Sequence, residues 1–325
     1  MSAPTAVAEL IEDRGAAAVG DDFFRSRPFF DAEGVTHTLR ILAGEAELLA
    51  PLIVRSIADG PERDAISPYG YPGIATSRAA EIDHTGEGSM SDAPLDPAAI
   101  DFSATGLTSI FLRHTLGDPP LAGASERNVV QIADPDLPPK SRSSDRNQIN
   151  KNLRRGYALR LVPGPETTAA ERAGFLVAYE ETMRRTGAGE RYFFGGAYFD
   201  RILESPLTWL ALASAPSGDV AAASIAARSD GYLHYYLSGS ADSHLRDSPM
   251  KNIVAALAEL SAEQGLPLNL GGGISPGDRL EDFKRGFANR ELPWRTSEVV
   301  CDPDAYARLS AGREATGFFP AYRAS

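Results

Sequence analysis

Residues 270–287 read LGGGISPGDRLEDFKRGF: three glycines follow an apolar stretch, and a lysine, Lys284, lies between Phe283 and Phe287. Such a segment can cradle a phosphate, bind a dinucleotide, or offset a developing negative charge with a cation and backbone amides. A phosphate loop requires G-x-x-x-x-G-K-[ST]. Gly272 and Gly277 have that spacing, but Asp278 and Arg279 stand where the lysine and hydroxyl belong. Without the lysine the terminal phosphates lose their cation, so this chemistry is excluded. The dinucleotide fingerprint fails as well, because Pro276 occupies the third glycine's place.

Charge stabilisation is left. Ser275 followed by Asp278 has the spacing of a capping box, with Asp in place of Glu, and Pro276 suits a first helical position. A short helix is therefore expected from about Pro276. On it Leu280, Phe283, Lys284 and Phe287 share one face, with Lys284 where a leucine is expected and Glu281, Asp282 and Arg285 pointing elsewhere. A lysine there either snorkels to water at the border of the stripe or is a cation held at the wall of a dry cleft, able to stabilise an oxyanion or orient a phosphate. The amides of Gly271, Gly272 and Gly273 are candidate partners for the same charge. Asp278 or Glu281 could accept a proton, and helix capping is the competing role for both.

Other residues have types suited to substrate binding. Tyr69 and Tyr71 lie in the turn-rich SPYGYPG, where a packing role is less automatic. Arg113 stands in the apolar run SIFLRH and needs an anion, either a substrate or a structural carboxylate. Arg184 and Arg185 end an amphipathic segment and could hold an acidic substrate or an RNA phosphate, or simply solvate the helix end. Tyr235 and Tyr236 alternate faces of a strand, and Tyr236 is the candidate for a cleft. The five histidines lack metal-ligand spacing, so no metal site is expected. The one cysteine, Cys301, ends an apolar run and reads as a buried strand residue. It cannot form an intrachain disulfide, which fits a reducing compartment.

Length and charge frame these candidates. The chain has 325 residues, enough for about two domains, and a formal net charge of −12, which disfavours general nucleic-acid coating. Yet residues 139–160 carry Lys140, Arg142, Arg146, Lys151, Arg154, Arg155 and Arg160 against Asp145 alone. This stripe reads as the contact for a localised anionic partner or as a solvated charge run. The N-terminus lacks a basic region before an apolar stretch, and no apolar run nears the roughly 18 residues needed to span a bilayer. A cytosolic protein is expected.

The elements that must position these residues follow from periodicity. A helix is expected over the first 20 or so residues. Strands are expected at THTLRILA, LLAPLIVRSI, GLTSIFLRHTL and ERNVVQIA, a loop over 79–98, and an interdomain break in the proline-rich 133–139. Helices follow around 168–188 and 196–205, then a three-stranded meander, LTWLALA, VAAASIAAR and YLHYYLSGS. A helix capped by Ser248 and ended by Gly265 leads to the buried strand LPLNL. Meander, crossover helix and strand make an α+β unit.

LGGG with DRLEDFKRGF and the apolar SEVVCDPDAY resembles the Fem-like branch (FemA/FemB/FemX) of the GNAT acyltransferase superfamily. AYEETMRRTGAGERYFFGGAYFDRIL at 178–203, RNQINKNLRRGY at 146–157, SPYGYPG, SIFLRH and FFPAYR extend the resemblance over about Phe23 to Arg323. It implies an α+β fold of two GNAT-like domains, mixed sheets flanked by helices, that share a central cleft. The first, on the acceptor side, would comprise 1–138 with about 297–325, and the second, on the donor side, 139–296. It implies aminoacyl transfer from aminoacyl-tRNA to an amine of a cell-wall precursor or a small natural-product acceptor, without metal or cofactor. Lys284 would contact the tRNA acceptor end and the tetrahedral intermediate, with Phe283 packed beside it. Asp278 joins them as a catalytic candidate. The substrate-binding candidates are Tyr69, Tyr71, Arg113, Arg184, Tyr236, Gly272 and Gly273, and those for tRNA are Lys140, Arg142, Arg146, Lys151, Arg154 and Arg155. The acyl-CoA signature R/Q-x-x-G-x-G/A is missing before Ser248, where only Arg246 is found. An acyl-CoA or carrier-protein thioester remains the alternative donor.

Overall fold

The computed structural model describes residues 5–57, 60–76, 94–313 and 317–324. The chain divides into two compact units, Met1–Arg127 with Trp294–Ser325, and Asn128–Pro293.

The first unit begins with β1 (Ala6–Ile11), not with the expected helix. The Ala- and Glu-containing AVAELI is compatible with a helix, but pairing decides: β1 runs antiparallel to β2 (His37–Ala43), and Ala6 and Ala8 are buried while Val7 faces out. Between them α1 (Arg27–Glu33) is capped by Ser26, has Pro28 in its first turn and ends at Gly34 in the left-handed region. Then come β3 (Ala46–Ser56), β4 (Arg63–Ile66), β5 (Ala75–Thr76), β6 (Ile100–Asp101) and β7 (Ser109–Arg113). Most of the segment read as a loop, 79–98, lies outside the described residues.

β8 (Ser125–Ala133) carries the chain into the second unit. There follow α2 (Ser143–Arg154), β9 (Ala158–Pro163), α3 (Ala169–Thr186), α4 (Gly196–Ile202), β10 (Thr208–Ser214), β11 (Val220–Ser229) and β12 (Tyr232–Ser240). Next are α5 (Met250–Glu263), β13 (Leu268–Gly271) and α6 (Arg279–Arg285). β14 (Arg290–Val300) and α7 (Pro303–Ser310) return the chain to the first unit.

In the first unit β1, β2, β3 and β4 form an antiparallel succession. β6 adds parallel to β1, and β7 lies parallel to β4 and antiparallel to β14. The core is aliphatic, built on Leu39, Ile41, Leu52, Ile110 and Leu112. Buried Asp64 is held there by Arg55, Arg323 and the Tyr322 hydroxyl.

In the second unit β9 to β12 are antiparallel neighbours in sequence order. α5 then crosses over so that β13 lies parallel to β12, and β8 closes the other side of β13 antiparallel. One face packs on α5 through Ile253, Val254 and Leu257 against Leu233, Leu268 and Leu270. On α3, the Thr168–Glu171 capping box fixes the start and Gly187 the end. α3 approaches β12 so closely that a Cβ on Gly239 would lie 2.4 Å from the Ala178 carbonyl oxygen, so only glycine fits. α5 starts at Met250 without a side-chain cap. The expected cap, Ser248, sits in the left-handed region at φ 46° and its hydroxyl donates instead to the Leu245 carbonyl.

Candidate functional site

β13 delivers the chain to the glycine loop. Asn269 Oδ1 accepts from the Gly271 amide at 2.8 Å, and Gly271 turns at φ +73°. That amide is therefore occupied and is no longer a candidate oxyanion donor. Gly272 abuts the Asn128 side chain, where an added Cβ would lie 2.5 Å from Nδ2. Asn128 Nδ2 donates to the Gly273 carbonyl at 2.9 Å. The three glycines are thus gripped from both ends by asparagines.

α6 begins at Arg279, three residues later than expected, because the capping carboxylate is that of Asp278 and not the hydroxyl of Ser275. Asp278 accepts from the amides of Ile274 at 2.7 Å, Ser275 at 3.0 Å and Glu281 at 2.7 Å. A carboxylate satisfies several free amides at once where a hydroxyl satisfies one. These bonds, that from Glu281 foremost, hold its carboxyl below the usual carboxylate range. It is built to stay ionised as a cap, which suits it poorly to accept a proton. Glu281, the other acid considered, is buried and takes the Gly277 amide at 2.7 Å and the Arg285 guanidinium.

Lys284 lies 8 % exposed on this helix and donates from Nζ to the Gly272 carbonyl at 2.7 Å. Burial draws its pKa down to about 8 against the raising field of Asp278. An ammonium has three donors, and among the described residues the other two find no protein acceptor. The amphipathic stripe is rotated from the expected one. Phe283 and Phe287 pack edge to face at 5.6 Å in the core shared with α5, whereas Leu280 is exposed and Glu281 turns inward.

The remaining substrate-binding candidates are spread over both units. In the first, Tyr71 packs edge-on between Phe24 and Trp294, with ring centroids at 5.7 and 5.8 Å, and Tyr69 donates its backbone amide to Glu33 at 2.8 Å. Arg113 donates to the Ser67 carbonyl and lies 5.2 Å over the Phe111 ring. In the second, Arg184 makes an exposed ion pair with Glu180 at 2.6 Å, and Arg185 reaches Asp242. The Tyr236 hydroxyl meets that of Tyr198 at 2.9 Å, and Tyr198 stacks on Phe194 at 4.2 Å. Tyr235 is partly buried against the core that packs on α5, and burial pushes its hydroxyl pKa up to about 12.

The basic stripe forms α2 and its flanks, and its charges differ in fate. Arg142 grips Asp282 on α6 with contacts of 2.7 and 3.0 Å, Arg155 reaches Asp247 at 2.6 Å, and Arg146 donates to the Ser141 carbonyl. Asp145, the stripe's acid, is buried against Lys251 on α5 at 2.8 Å. Asn152 fastens α2 to the Asp247 carbonyl at 2.8 Å and to Asn252 at 2.7 Å. Lys140, Lys151 and Arg154 are exposed and make no protein ion pair among the described residues.

Sequence reading did not single out Asn128, Gln131, His234 or Asn269. Gln131, His234 and Asn269 are polar residues inside apolar strand runs, which is the signal that could have found them, whereas Asn128 follows the polar Ser125, Glu126 and Arg127 and gives no such signal. Among the described residues no group of acids, histidines and cysteine is placed to hold a metal. Cys301, expected as a buried strand residue, lies just past the end of β14 and is partly buried against the core of the first unit, which pushes its thiol up to about 12.

Residues 139–285 match the acetyltransferase (GNAT) domain family. No curated protein matches the sequence. Among solved structures the chain is similar to FemX, with a TM-score of 0.60 at 10 % identity over 92 % of this chain and 97 % of that one. It is also similar to the C-terminal DUF2156 domain of an Agrobacterium fabrum protein classed with the lysylphosphatidylglycerol synthetases, with a TM-score of 0.51 at 14 % identity over 81 % and 84 % of the chains. The chain thus has the α+β fold of the Fem-like GNAT branch that its motifs resemble, with the GNAT domain in the second unit.

Proposed function

We propose that this protein is an N-acyltransferase that moves an aminoacyl group from aminoacyl-tRNA to an amine of a cell-wall precursor or small molecule. One observation carries the reading: the Lys284 ammonium is buried, held by the Gly272 carbonyl, and has two N–H donors that meet no acceptor among the described residues. Fold likeness to FemX supports it, as do Lys151 and Arg154 on α2, which are exposed and make no protein ion pair among the described residues.

The chemistry needs little beyond positioning, because a tRNA ester is already activated. The neutral amine attacks the ester carbonyl and a C–N bond forms. Lys284 meets the oxyanion as charge develops. The C–O bond to the ribose then breaks. The proton lost by the amine balances the one gained by the ribose oxygen, so no net base is consumed. Burial of the ammonium limits its exposure to water, which strengthens its field. Transfer of labelled amino acid from charged tRNA to a panel of amines tests the reading, and transfer indifferent to RNase overturns it.

The matched family's description as an acetyltransferase domain favours a second reading, in which the donor is acyl-CoA or a carrier-protein thioester. Saturable acyl-CoA turnover that is unchanged by reversing Lys151 and Arg154 would select it.

A further inference from the structure

The loop that holds Lys284 is itself held by a buried chain of hydrogen bonds. His234 on β12 and Asn269 on β13 are both 1 % exposed, and their strands run parallel with these two residues in register. His234 Nε2 lies 3.1 Å from the Ser229 carbonyl oxygen, which can only accept. Nε2 therefore carries the proton, and in the neutral ring Nδ1 is left as an acceptor. Asn269 Nδ2 donates to it at 3.0 Å, which orients the amide so that Oδ1 accepts from the Gly271 amide at 2.8 Å. Every donor in the chain meets an acceptor in one arrangement only. With the Asn269 amide reversed, its NH₂ would face the Gly271 N–H; with Nδ1 protonated, two donors would face each other.

The geometry points to His234 and Asn269 as positioning residues that act through the glycine loop on Lys284. The tautomer of His234 fixes the Asn269 amide, and Asn269 fixes the Gly271 peptide at its left-handed turn. The next carbonyl, that of Gly272, is thereby aimed at Lys284 Nζ, 2.7 Å away. Asn128 grips Gly273 from β8, so the Gly272 carbonyl is set between two fixed points. Neither His234 nor Asn269 touches a reacting atom. Their effect is to keep a buried ammonium supplied with its acceptor. Its functional meaning rests on the reading of Lys284 as the charge-stabilising group, but the arrangement itself can be measured without a substrate.

The chain has four lysines, Lys140, Lys151, Lys251 and Lys284. In the full-length protein labelled with ¹⁵N-lysine and ¹⁵N-histidine, the Lys284 side-chain signal is identified by its loss in Lys284→Arg. Three results are expected. The wild-type His234 ring shows the Nε2–H tautomer at neutral pH. Asn269→Ala and the volume-keeping His234→Phe each lower the Lys284 titration midpoint, by about half a unit or more, because the charged form loses its acceptor. The double variant shifts it no further than Asn269→Ala alone, because both act along one path. Asp278, whose field acts on Lys284, remains in place in each variant, as do Glu281, Asp282 and Arg285 on its own helix. Phe199→Leu, a core change on α4, lowers the melting temperature and leaves the midpoint alone. A purely structural role predicts the same silence from Asn269→Ala and His234→Phe. An unshifted or raised midpoint overturns the inference, as does a wild-type His234 with Nδ1 protonated. The last measurement needs no variant, so it decides even where a substitution prevents folding. Because none of these signals depends on turnover, failure to detect acyl transfer counts against the proposed function and leaves this inference intact.

Discussion

Lys284 Nζ lies 2.7 Å from the carbonyl oxygen of Gly272, twelve residues earlier in the chain. A lysine in a leucine's place has thus been given one acceptor among the described residues and little exposure to water. Such a group costs stability and lowers its own pKa, which sets up the first two expectations.

Lys284→Met is expected to lower transfer by roughly a hundredfold or more. Folding should be unchanged or improved, because a buried charge is exchanged for an apolar chain of similar length. Lys284→Arg is not expected to restore activity, since a planar guanidinium does not fit the place of a point charge. Rates with charged tRNA beside thermal melts separate the two effects. A melting temperature that falls sharply in Lys284→Met would show the lysine to be structural.

Two buried bases give stability an identifiable pH dependence. Lys284 is drawn from 10.5 to about 8, so between these values the unfolded chain binds the proton that the folded chain has released. Stability therefore rises with pH across that window. His114 is fully buried, with Nε2 2.8 Å from the Ser297 hydroxyl, and burial lowers it from 6.5 to about 4. Its neutral form supports the fold fully above 6.5, and that support is lost as the pH falls toward 4. Denaturant midpoints across pH should lose the alkaline rise in Lys284→Met and part of the acid fall in His114→Asn. Slopes that match wild type would refute each assignment separately.

Gly272→Ala forces a Cβ to within 2.5 Å of the Asn128 side chain. Overpacking of this kind costs about 1–3 kcal/mol, and a displaced Gly272 carbonyl should impair transfer. Adding Asn128→Ala should return most of the stability but not the activity, because the Gly273 anchor is lost with it. A double-mutant cycle measured by melting and by rate gives both numbers, and simple additivity would show that the two residues do not meet.

The cations of α2 and its flanks should divide into two classes. Neutralising Lys140, Lys151 or Arg154 is expected to lower the salt slope of tRNA binding by about one each. Arg142→Ala and Arg155→Ala should instead loosen the docking of α2, since they release Asp282 and Asp247. Binding titrated against salt, with melts alongside, tests the division. Equal effects from all five would mean that the ion pairs open when RNA arrives.

The meander of β10 to β12, the amphipathic α5, and α3 with its Thr168–Glu171 box were legible because their signals are local. A period of two or 3.6 and a cap three residues away are properties of neighbours in sequence. Lys284 was legible for the same reason, as a charge breaking a stripe. Where local signals were ambiguous the sequence misled: AVAELI became a strand because β2 was there to pair with it.

What the sequence by itself determined is the α+β set of elements, the cation on α6 and the basic character of α2. Tertiary structure alone decided which charges of the basic stripe are paired, since the partners of Arg142 and Arg155 lie 140 and 92 residues away. It alone brought Asn128 to Gly273, 145 residues on, and His234 to Asn269, 35 residues on. No spacing rule reaches across such distances. Those contacts exist only once the sheet has put its strands side by side, and they turn a lysine in an apolar stripe into a held and nearly dry ammonium.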